Sequence, residues 1–295
     1  MLQQNLPIVN ILFEGDFRLS ILQALSIDRL YESSDLSSYL LILNGNDNVE
    51  LEKSAKKELN RALGSGTRNL IDFVVWEDLL PGCQRVGYYD QQALKIAAAA
   101  ATDNDLVLVL DSKNHFVTRC DSSVFFKDGL PCMPLVATNQ MWKPYVENSL
   151  AAVGNTTADS NYMMPSVTPY VMYPKKVRDL RKHLEDRYSM DLPSALAASG
   201  GTEFLIYYAF IQSEMENLYA RGQHPVRTLF TSWPQDPDLI SQFIADCADR
   251  RYPMFGLHRN RIPQLSAEHR EQIFAMWRQE LLADWEQPSW FIEQR

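Results

Sequence analysis

The sequence predicts an α/β fold with a mainly parallel central sheet that carries helices on both faces. Short apolar runs recur along residues 7–110, and segments with apolar residues at helical spacing separate them. Within each run the apolar residues are consecutive rather than alternate, as in strands buried on both faces. Such strands indicate parallel pairing when helices alternate with them. With 295 residues, the chain can bury the core of this fold without disulfides or structural metal.

The first half of the chain supplies the elements of this sheet in order. The predicted strands are residues 7–13, 38–43, 70–76 and 106–110. The predicted helices are residues 16–31, 50–63 and 90–101. The second of these helices is charged and closed by Gly64 and Gly66, and the third is rich in alanine, with Asp90 as its predicted cap.

The second half of the chain has a different character. Residues 120–173 contain many turn residues and aromatics, so irregular strands and loops are expected there. Apolar periodicity predicts helices over residues 173–188, 202–219, 236–250 and 266–285. Because no repeat or linker interrupts the chain, we predict a single domain over residues 1–295 with a C-terminal helical region.

Composition excludes some classes of protein. The net charge of −9 argues against a nucleic-acid-binding protein, which needs a basic surface. The four cysteines have no metal-like spacing, which favours free thiols in a reducing cytoplasm. No secretory signal is recognised, and no run reaches the ~18–20 apolar residues that span a bilayer. We therefore expect a cytoplasmic protein without a transmembrane segment, and peripheral membrane association stays open.

Polar residues follow the predicted strands at their carboxyl ends, where ligands collect in such sheets. The fourth strand ends in Asp111-Ser112-Lys113. Asp111 could hold a divalent cation that in turn holds a diphosphate, because magnesium needs only one or two protein carboxylates. Lys113 could instead neutralise a phosphate directly. A third possibility is an exposed ion pair at the strand end, which would contribute about 0–1 kcal/mol.

One segment of the chain resembles a known signature. Residues 87–117, GYYDQQALKIAAAAATDNDLVLVLDSKNHFV, resemble the centre of GT-A-type glycosyltransferases. There a helix that starts with an aromatic-Gln-Gln-x-x-x-Lys pattern leads into a strand that ends in an Asp-x-Asp-like motif. The chain is similar to an uncharacterised bacterial family of probable surface-polysaccharide glycosyltransferases, through the further stretches VTPYVMYPKKV, GTEFLIYYAFI and FGLHRNRI. The resemblance implies a GT-A-like, Rossmann-like sheet and a nucleotide-sugar donor.

The resemblance also implies how the chain is divided. Residues 1–118 would form the half that binds the nucleotide-sugar. Residues 119–262 would form the acceptor side, and residues 263–295 the C-terminal helix and tail.

Several residues become candidates for binding the donor. A helix start attracts anions, and Lys95 adds a full charge to the turn that carries Gln91 and Gln92. The resemblance places this segment beside the donor; a solvated helix face is the alternative. Glu14 and Asp16 end the first strand, where the resemblance places the base or ribose, although Asp16 could instead cap the next helix. Asn44 follows the second strand and could contact the nucleotide or merely turn the chain.

The sequence departs from the resemblance mainly at the expected metal site. Lys113 stands where an Asp-x-Asp motif has its second carboxylate, so manganese or magnesium is doubtful. If a metal binds, Asp111 would be one ligand, and the resemblance suggests His258 as another. Imidazole suits manganese better than magnesium. Lys113 could also take over the role of the metal, and His258 could bond a phosphate or pack beneath Phe255.

Glu203 is the candidate on the acceptor side. A glycosyl transfer with inversion needs a base that takes the proton of the acceptor hydroxyl, and Glu203 begins a helix after a glycine pair. The electrostatic alternative is that a glutamate is simply favoured in the first turn of a helix.

Three functions therefore remain at this stage. The first is a glycosyltransferase in which Asp111, Lys113 and Glu203 are catalytic and a glycan or lipid-linked hydroxyl is the acceptor. The second is a non-catalytic nucleotide-sugar or glycan-binding protein, which the altered motif favours. The third is a nucleotidyltransferase, which would need more carboxylates near Asp111 than the sequence offers.

Overall fold

The computed structural model describes residues 5–293; the ends of the predicted domain, residues 1–4 and 294–295, lie outside this range. The strands are β1 Leu6–Leu12, β2 Leu36–Leu43, β3 Ile71–Val75, β4 Val107–Asp111, β5 Asn114–Phe116, β6 Phe126–Lys127, β7 Leu130–Met133, β8 Val136–Ala137, β9 Tyr162–Met163, β10 Tyr170–Met172, β11 Ala220–Arg221, β12 Val226–Leu229 and β13 Met254–Leu257. The helices are α1 Phe17–Leu30, α2 Asn48–Ala62, α3 Ser65–Arg68, α4 Trp76–Leu79, α5 Tyr88–Ala101, α6 Lys143–Ala152, α7 Pro174–Tyr188, α8 Leu192–Ser199, α9 Glu203–Ile211, α10 Met215–Leu218, α11 Pro237–Ala248, α12 Ala267–Glu280 and α13 Pro288–Ile292.

The central sheet has five strands in the order β10-β4-β1-β2-β3. The pairs β4–β1, β1–β2 and β2–β3 are parallel, and only β10 runs antiparallel, against β4. The four strands predicted from apolar runs are β1 to β4, so the predicted mainly parallel α/β fold is confirmed. The strand order reverses between β1 and β4, and a crevice at the carboxyl ends of such strands is where doubly wound folds bind ligands.

Helices cover both faces of the sheet, as predicted. Residues of β1 alternate between two cores: Ile8 and Leu12 pack with α1 and α2, while Val9 and Ile11 pack with α5 and α7 to α9. In α5, Ala93 and Ala97 to Ala100 are buried, and their small side chains let the helix lie close to its neighbours. The continuous apolar sequence of the central strands therefore results from burial on both sides.

Directly after the fourth strand, the chain enters a second sheet. After Asp111 the chain turns and enters β5, which pairs antiparallel with β13, and β13 pairs parallel with β12. This second sheet has three strands in the order β12-β13-β5. The stretch 111–114 thus joins the two sheets through a turn at Ser112 and Lys113.

Other differences concern local elements. Residues 120–173 were expected to be irregular, yet they contain α6, which begins with a proline in its first turn. The single helix predicted over residues 202–219 is three pieces, α9, a 3-10 turn over 212–214 and α10. Asp90 lies inside α5 rather than capping it, and its carboxylate accepts a hydrogen bond from the Val86 N–H at 2.6 Å. The predicted final helix is α12, with Ser266 as its cap.

The C-terminal region is helical, as predicted, with α11, α12 and α13. The four cysteines are free thiols. None of the helices within residues 5–293 combines the length and the apolar character that crossing a bilayer requires.

Candidate active site

The turn after β4 is held in place by its central residue. Ser112 is buried, and its hydroxyl lies 2.7 Å from the Ser20 hydroxyl of α1 and 3.2 Å from the Ile11 carbonyl of β1. The side chain of Gln23 donates to the carbonyls of Asp111 and Asn114, at 2.7 Å each. These bonds fix the backbone that presents Asp111 and Lys113.

The carboxylate of Asp111 is surrounded by donors. Its Oδ1 lies 2.7 Å from the Lys95 ammonium, and its Oδ2 accepts from Lys113. The hydroxyl of Thr168, on the segment before β10, donates to Oδ2 at 2.9 Å. Lys113 is also largely buried, with 12% of its side chain exposed. The hypothesis of an exposed ion pair at the strand end is therefore wrong.

Lys95 connects Asp111 to Glu203. Its ammonium lies 2.9 Å from Glu203 Oε1, and both side chains are more than 90% buried. Gln92, one turn earlier on α5, accepts a hydrogen bond from the Glu203 N–H at 3.2 Å. Lys95 and Gln92 thus face the interior, and the hypothesis of a solvated helix face is wrong for them. Gln91 points more outward and makes none of these contacts.

Asp111, Lys113, Lys95 and Glu203 form a charged cluster. The charges of this cluster stabilise one another. Burial disfavours the ammonium of Lys95, but Asp111 and then Glu203 outweigh it and raise the pKa of Lys95. Burial likewise opposes the ionised form of Asp111, yet Lys113 and then Lys95 hold the pKa of Asp111 well below its usual range. Two carboxylates and two ammonium groups therefore balance in charge within the cluster.

Asp16 and His258 lie within electrostatic reach of this cluster. Asp16 precedes α1 but makes no capping hydrogen bond through its side chain, so that alternative is wrong. Its Oδ1 lies 3.9 Å from Nε of Arg259. Burial, only partly offset by Arg259, raises the pKa of Asp16 to about 6. Burial followed by the charge of Lys113 lowers the pKa of His258.

A divalent cation does not fit the predicted ligands. Both oxygens of Asp111 already face ammonium groups. Nδ1 of His258 accepts from the Asn260 N–H at 3.2 Å and lies 3.0 Å from the Thr231 hydroxyl. Among residues 5–293 no group of three His, Cys, Asp or Glu side chains could hold a metal. The ammonium groups of Lys95 and Lys113 stand where a metal ion would have to approach Asp111, so the residues present do not fit a divalent cation there.

The remaining predicted donor residues lie in neighbouring loops. Glu14 Oε1 accepts from the Asn46 N–H at 2.6 Å, and Asn44 accepts from Arg85. Glu14 and Arg259 also line a cavity of about 660 Å³ between the loop after β1, the start of α2 and the C-terminal residues 291–293. Asp111 does not line this cavity. Glu14 and Asn44 lie at the carboxyl edge of the sheet, where the sequence places them, but they do not contact the charged cluster.

Asp16 gives a testable pH dependence. Since the folded carboxyl holds its proton more tightly than the unfolded one, stability falls as the pH rises from about 4 through about 6. The free energy of unfolding should fall by about 2–3 kcal/mol over this range because of Asp16, and Asp16→Asn should abolish that part of the pH dependence. Urea unfolding at pH 4.5 and pH 7 measures it; parallel pH profiles for both proteins would contradict the assignment.

Three residues of the site were missed by the sequence reasoning. They are Gln23, Asn114 and Thr168. Asn114 Oδ1 accepts from the Asp111 N–H at 3.1 Å, and its amide donates to the Thr168 carbonyl at 3.3 Å. Thr168 belongs to the stretch VTPYVMYPKKV, which carried part of the resemblance and could have signalled it. Gln23 gave no signal beyond being a polar residue between Leu22 and Ala24 on the buried side of α1.

Comparisons with known proteins give one family and several structures. The sequence model of a "family of unknown function (DUF6492)" matches residues 13–229. No curated protein matches the chain. The galactosyltransferase LgtC, in complex with donor and acceptor sugar analogues, is 14% identical with a TM-score of 0.48, and the match covers 92% of this chain and 96% of that one.

Two further structures are similar over most of this chain. Mouse xyloside xylosyltransferase 1 is 12% identical with a TM-score of 0.40, over 85% of this chain and 97% of that one. The bifunctional glycosyltransferase WbbM is 8% identical with a TM-score of 0.48, over 95% of this chain and 52% of that one.

Proposed function

This chain belongs to DUF6492, a family of unknown function, and we propose that it is a glycosyltransferase that uses a nucleotide-sugar donor. The observation that carries the proposal is the buried bridge from Asp111 through Lys95 to Glu203, with Lys113 beside it, at the carboxyl edge of β4. Doubly wound sheets bind ligands at this switch point, and Lys95 and Lys113 supply the ammonium groups there that can meet a diphosphate. The GT-A-type resemblance of residues 87–117 supports the same donor.

The proposed chemistry uses the cluster in two parts. The acceptor oxygen bonds to the anomeric carbon while the bond from that carbon to the diphosphate breaks. Lys113 and Lys95 stabilise the charge that develops on the leaving diphosphate, and Asp111 holds both ammonium groups in position. Glu203 takes the proton of the acceptor hydroxyl or orients it. None of these steps requires a metal, because the two lysines supply the positive charge.

The other donor residues have proposed positions around this centre. Gln92 and Lys95 fix the start of α5 against the donor, and His258 and Arg259 lie on its other side. Asp16, Glu14 and Asn44 would contact the nucleoside, with Gln91 at the outer rim. In this arrangement residues 1–118 hold the donor, and residues 119–262 present the acceptor, with residues 263–295 as a helical support.

The acceptor and setting are proposed from the resemblance alone. They are a glycan or lipid-linked hydroxyl in bacterial surface-polysaccharide synthesis, on the cytoplasmic side, with peripheral contact to a membrane. Trp285, which is 73% exposed, is a C-terminal residue able to make such a contact.

A panel of uridine, guanosine, cytidine and thymidine sugars tests the donor. Thermal unfolding with and without manganese should show stabilisation by one nucleotide, by about 2.7 kcal/mol at a hundredfold excess over its Kd, and no effect of the metal. Asp111→Asn should lose the binding, whereas Asp103→Asn, outside the site, should keep it. Absence of a shift with every sugar-nucleotide would contradict the proposal.

A non-catalytic sugar-binding protein is the second candidate, and one observation favours it. Asp111 has no oxygen free for a metal, which is one route by which a transferase site loses turnover. This candidate predicts stabilisation by a sugar-nucleotide with no release of nucleoside diphosphate. Product release measured with the stabilising donor separates the two.

A further inference from the structure

Two tyrosines near the charged cluster are unusually exposed. Tyr88, at the start of α5, is 73% exposed, and Tyr145, in the first turn of α6, is 42% exposed. Each touches a second ring: Tyr88 lies 5.6 Å from Tyr89 and Tyr145 lies 5.7 Å from Trp142, between ring centroids. Clustered aromatic surface left in solvent marks a site of interaction rather than a core.

Tyr88 belongs to the same helix face as the charged cluster. Tyr88, Gln92 and Lys95 are spaced four and three residues apart, so they form one row along α5. The inner end of that row contacts Glu203, through the Lys95 ammonium and through Gln92. Seven residues of helix span about 10 Å, which is the length of about two sugar rings. Tyr88 therefore stands about that far from Lys95 along the helix.

Helix α6, which carries Tyr145, packs against the loop that leads into Glu203. Asn148, in the next turn of α6, donates to the Gly200 carbonyl at 3.1 Å. Gly201 leaves no room for a side chain, because a Cβ there would lie 2.6 Å from the Ser149 hydroxyl. The helix is thus held directly against the loop that leads into Glu203. Although most of the Tyr88 ring is exposed, partial burial of its hydroxyl and then the charge of Glu203 raise the pKa of Tyr88, Lys95 and a hydrogen bond from Gln92 oppose this, and Tyr145 adds a smaller rise.

An unused hydrogen-bond donor lies between these rings and the cluster. Nε2 of Gln92 is buried and carries two N–H groups; it has no close hydrogen-bond partner among the described residues, although the amide interacts with the Tyr88 hydroxyl, while Oε1 accepts from the Glu203 N–H. Buried donors nearly always have a partner, and the Tyr88 hydroxyl can engage only one of the two N–H groups, so the other calls for an acceptor atom from outside the chain. A sugar hydroxyl provides such an atom.

We propose that Tyr88 and Tyr145 form a carbohydrate subsite that stacks sugar rings of the acceptor and directs its hydroxyl towards Gln92 and Glu203. The proposal rests on the proposed function and names its acceptor class as a glycan of two or more rings. Flat exposed rings match the apolar faces of sugars, and tyrosine adds a polar edge. The donor's nucleoside is assigned to the opposite side, beside Asp16.

Binding of free glycans tests the subsite without turnover. The probe is a panel of neutral, acidic and N-acetylated trisaccharides, titrated calorimetrically into the full chain with and without the sugar-nucleotide that stabilises it. Wild type should bind at least one trisaccharide saturably. Tyr88→Ala and Tyr145→Ala should each raise its Kd about tenfold, and Tyr88→Phe, which keeps the ring, should stay within about twofold.

Controls separate the subsite from the donor site. Trp285→Ala removes an equally exposed ring elsewhere and should leave the Kd unchanged. The thermal shift caused by the donor should persist in Tyr88→Ala and Tyr145→Ala. Unchanged glycan affinity in both variants, or no trisaccharide binding to wild type, would overturn the subsite. Glycan binding that depends on both rings in a chain that binds no sugar-nucleotide would sustain the subsite and refute the donor proposal.

Discussion

Replacing Lys95 with methionine is expected to lower the free energy of unfolding by about 3–5 kcal/mol. The ammonium is buried between two carboxylates, at 2.7 Å from Asp111 and 2.9 Å from Glu203, and methionine leaves Glu203 buried without its ion-pair partner. Removing one partner of a buried pair costs this much because the other charge stays in the interior. Urea unfolding followed by circular dichroism at pH 7 measures the change.

Two further variants make the result specific. Lys53→Met removes an exposed lysine paired with Glu50 and should change the free energy of unfolding by less than about 1 kcal/mol. Adding Glu203→Gln to Lys95→Met should recover part of the loss, because the stranded carboxylate becomes neutral. Equal stabilities of wild type and Lys95→Met would mean that the bridge is not buried as described.

Replacing Lys113 with alanine is expected to lower kcat/KM about 10²–10³-fold. Its ammonium is paired with Asp111 and stands, in the proposed reaction, where charge develops on the leaving diphosphate. Lys113→Arg keeps the charge and should retain more activity than alanine. Initial rates at low donor concentration, with the stabilising sugar-nucleotide, measure the effect.

Position 113 also tests whether the ammonium group of Lys113 takes the place of a metal ion. Wild-type rates should be unaffected by a chelator, since ammonium groups occupy both oxygens of Asp111. Lys113→Asp restores the second carboxylate of an Asp-x-Asp motif, and its residual activity should rise with added manganese. A wild-type enzyme that loses its activity to a chelator, and regains it with manganese, would contradict the role given to Lys113.

The sequence predicted the central sheet because its signal is local. Strands β1 and β4 are buried on both faces, and β2 and the edge strand β3 still carry short apolar runs, so the pattern is visible without knowledge of the partner strand. Helix α6 was missed although Pro144 in its first turn is a recognised starting signal. The second sheet was missed because β5 pairs with a strand about 140 residues away, and single-sequence periodicity carries no information about such pairing.

The candidate site was predictable in its charged residues but not in its contacts. Asp111, Lys113, Lys95 and Glu203 stood out by type and position, and the structure brings them together. The hydroxyl of Thr168 reaches Asp111 only because β10 runs antiparallel beside β4, across 57 residues of sequence. The pairing of Lys95 with both carboxylates also depends on how α5 and α9 pack, which residue spacing within either helix does not specify.

The turn from Asp111 to Asn114 is a covalent connection between two sheets that otherwise have separate strands. Lys113 belongs to this turn, while His258 and Arg259 follow the last strand of the second sheet. A molecule bound to all three would act as a cross-link between the sheets. Binding of that molecule should therefore protect both sheets from proteolysis together, as one unit.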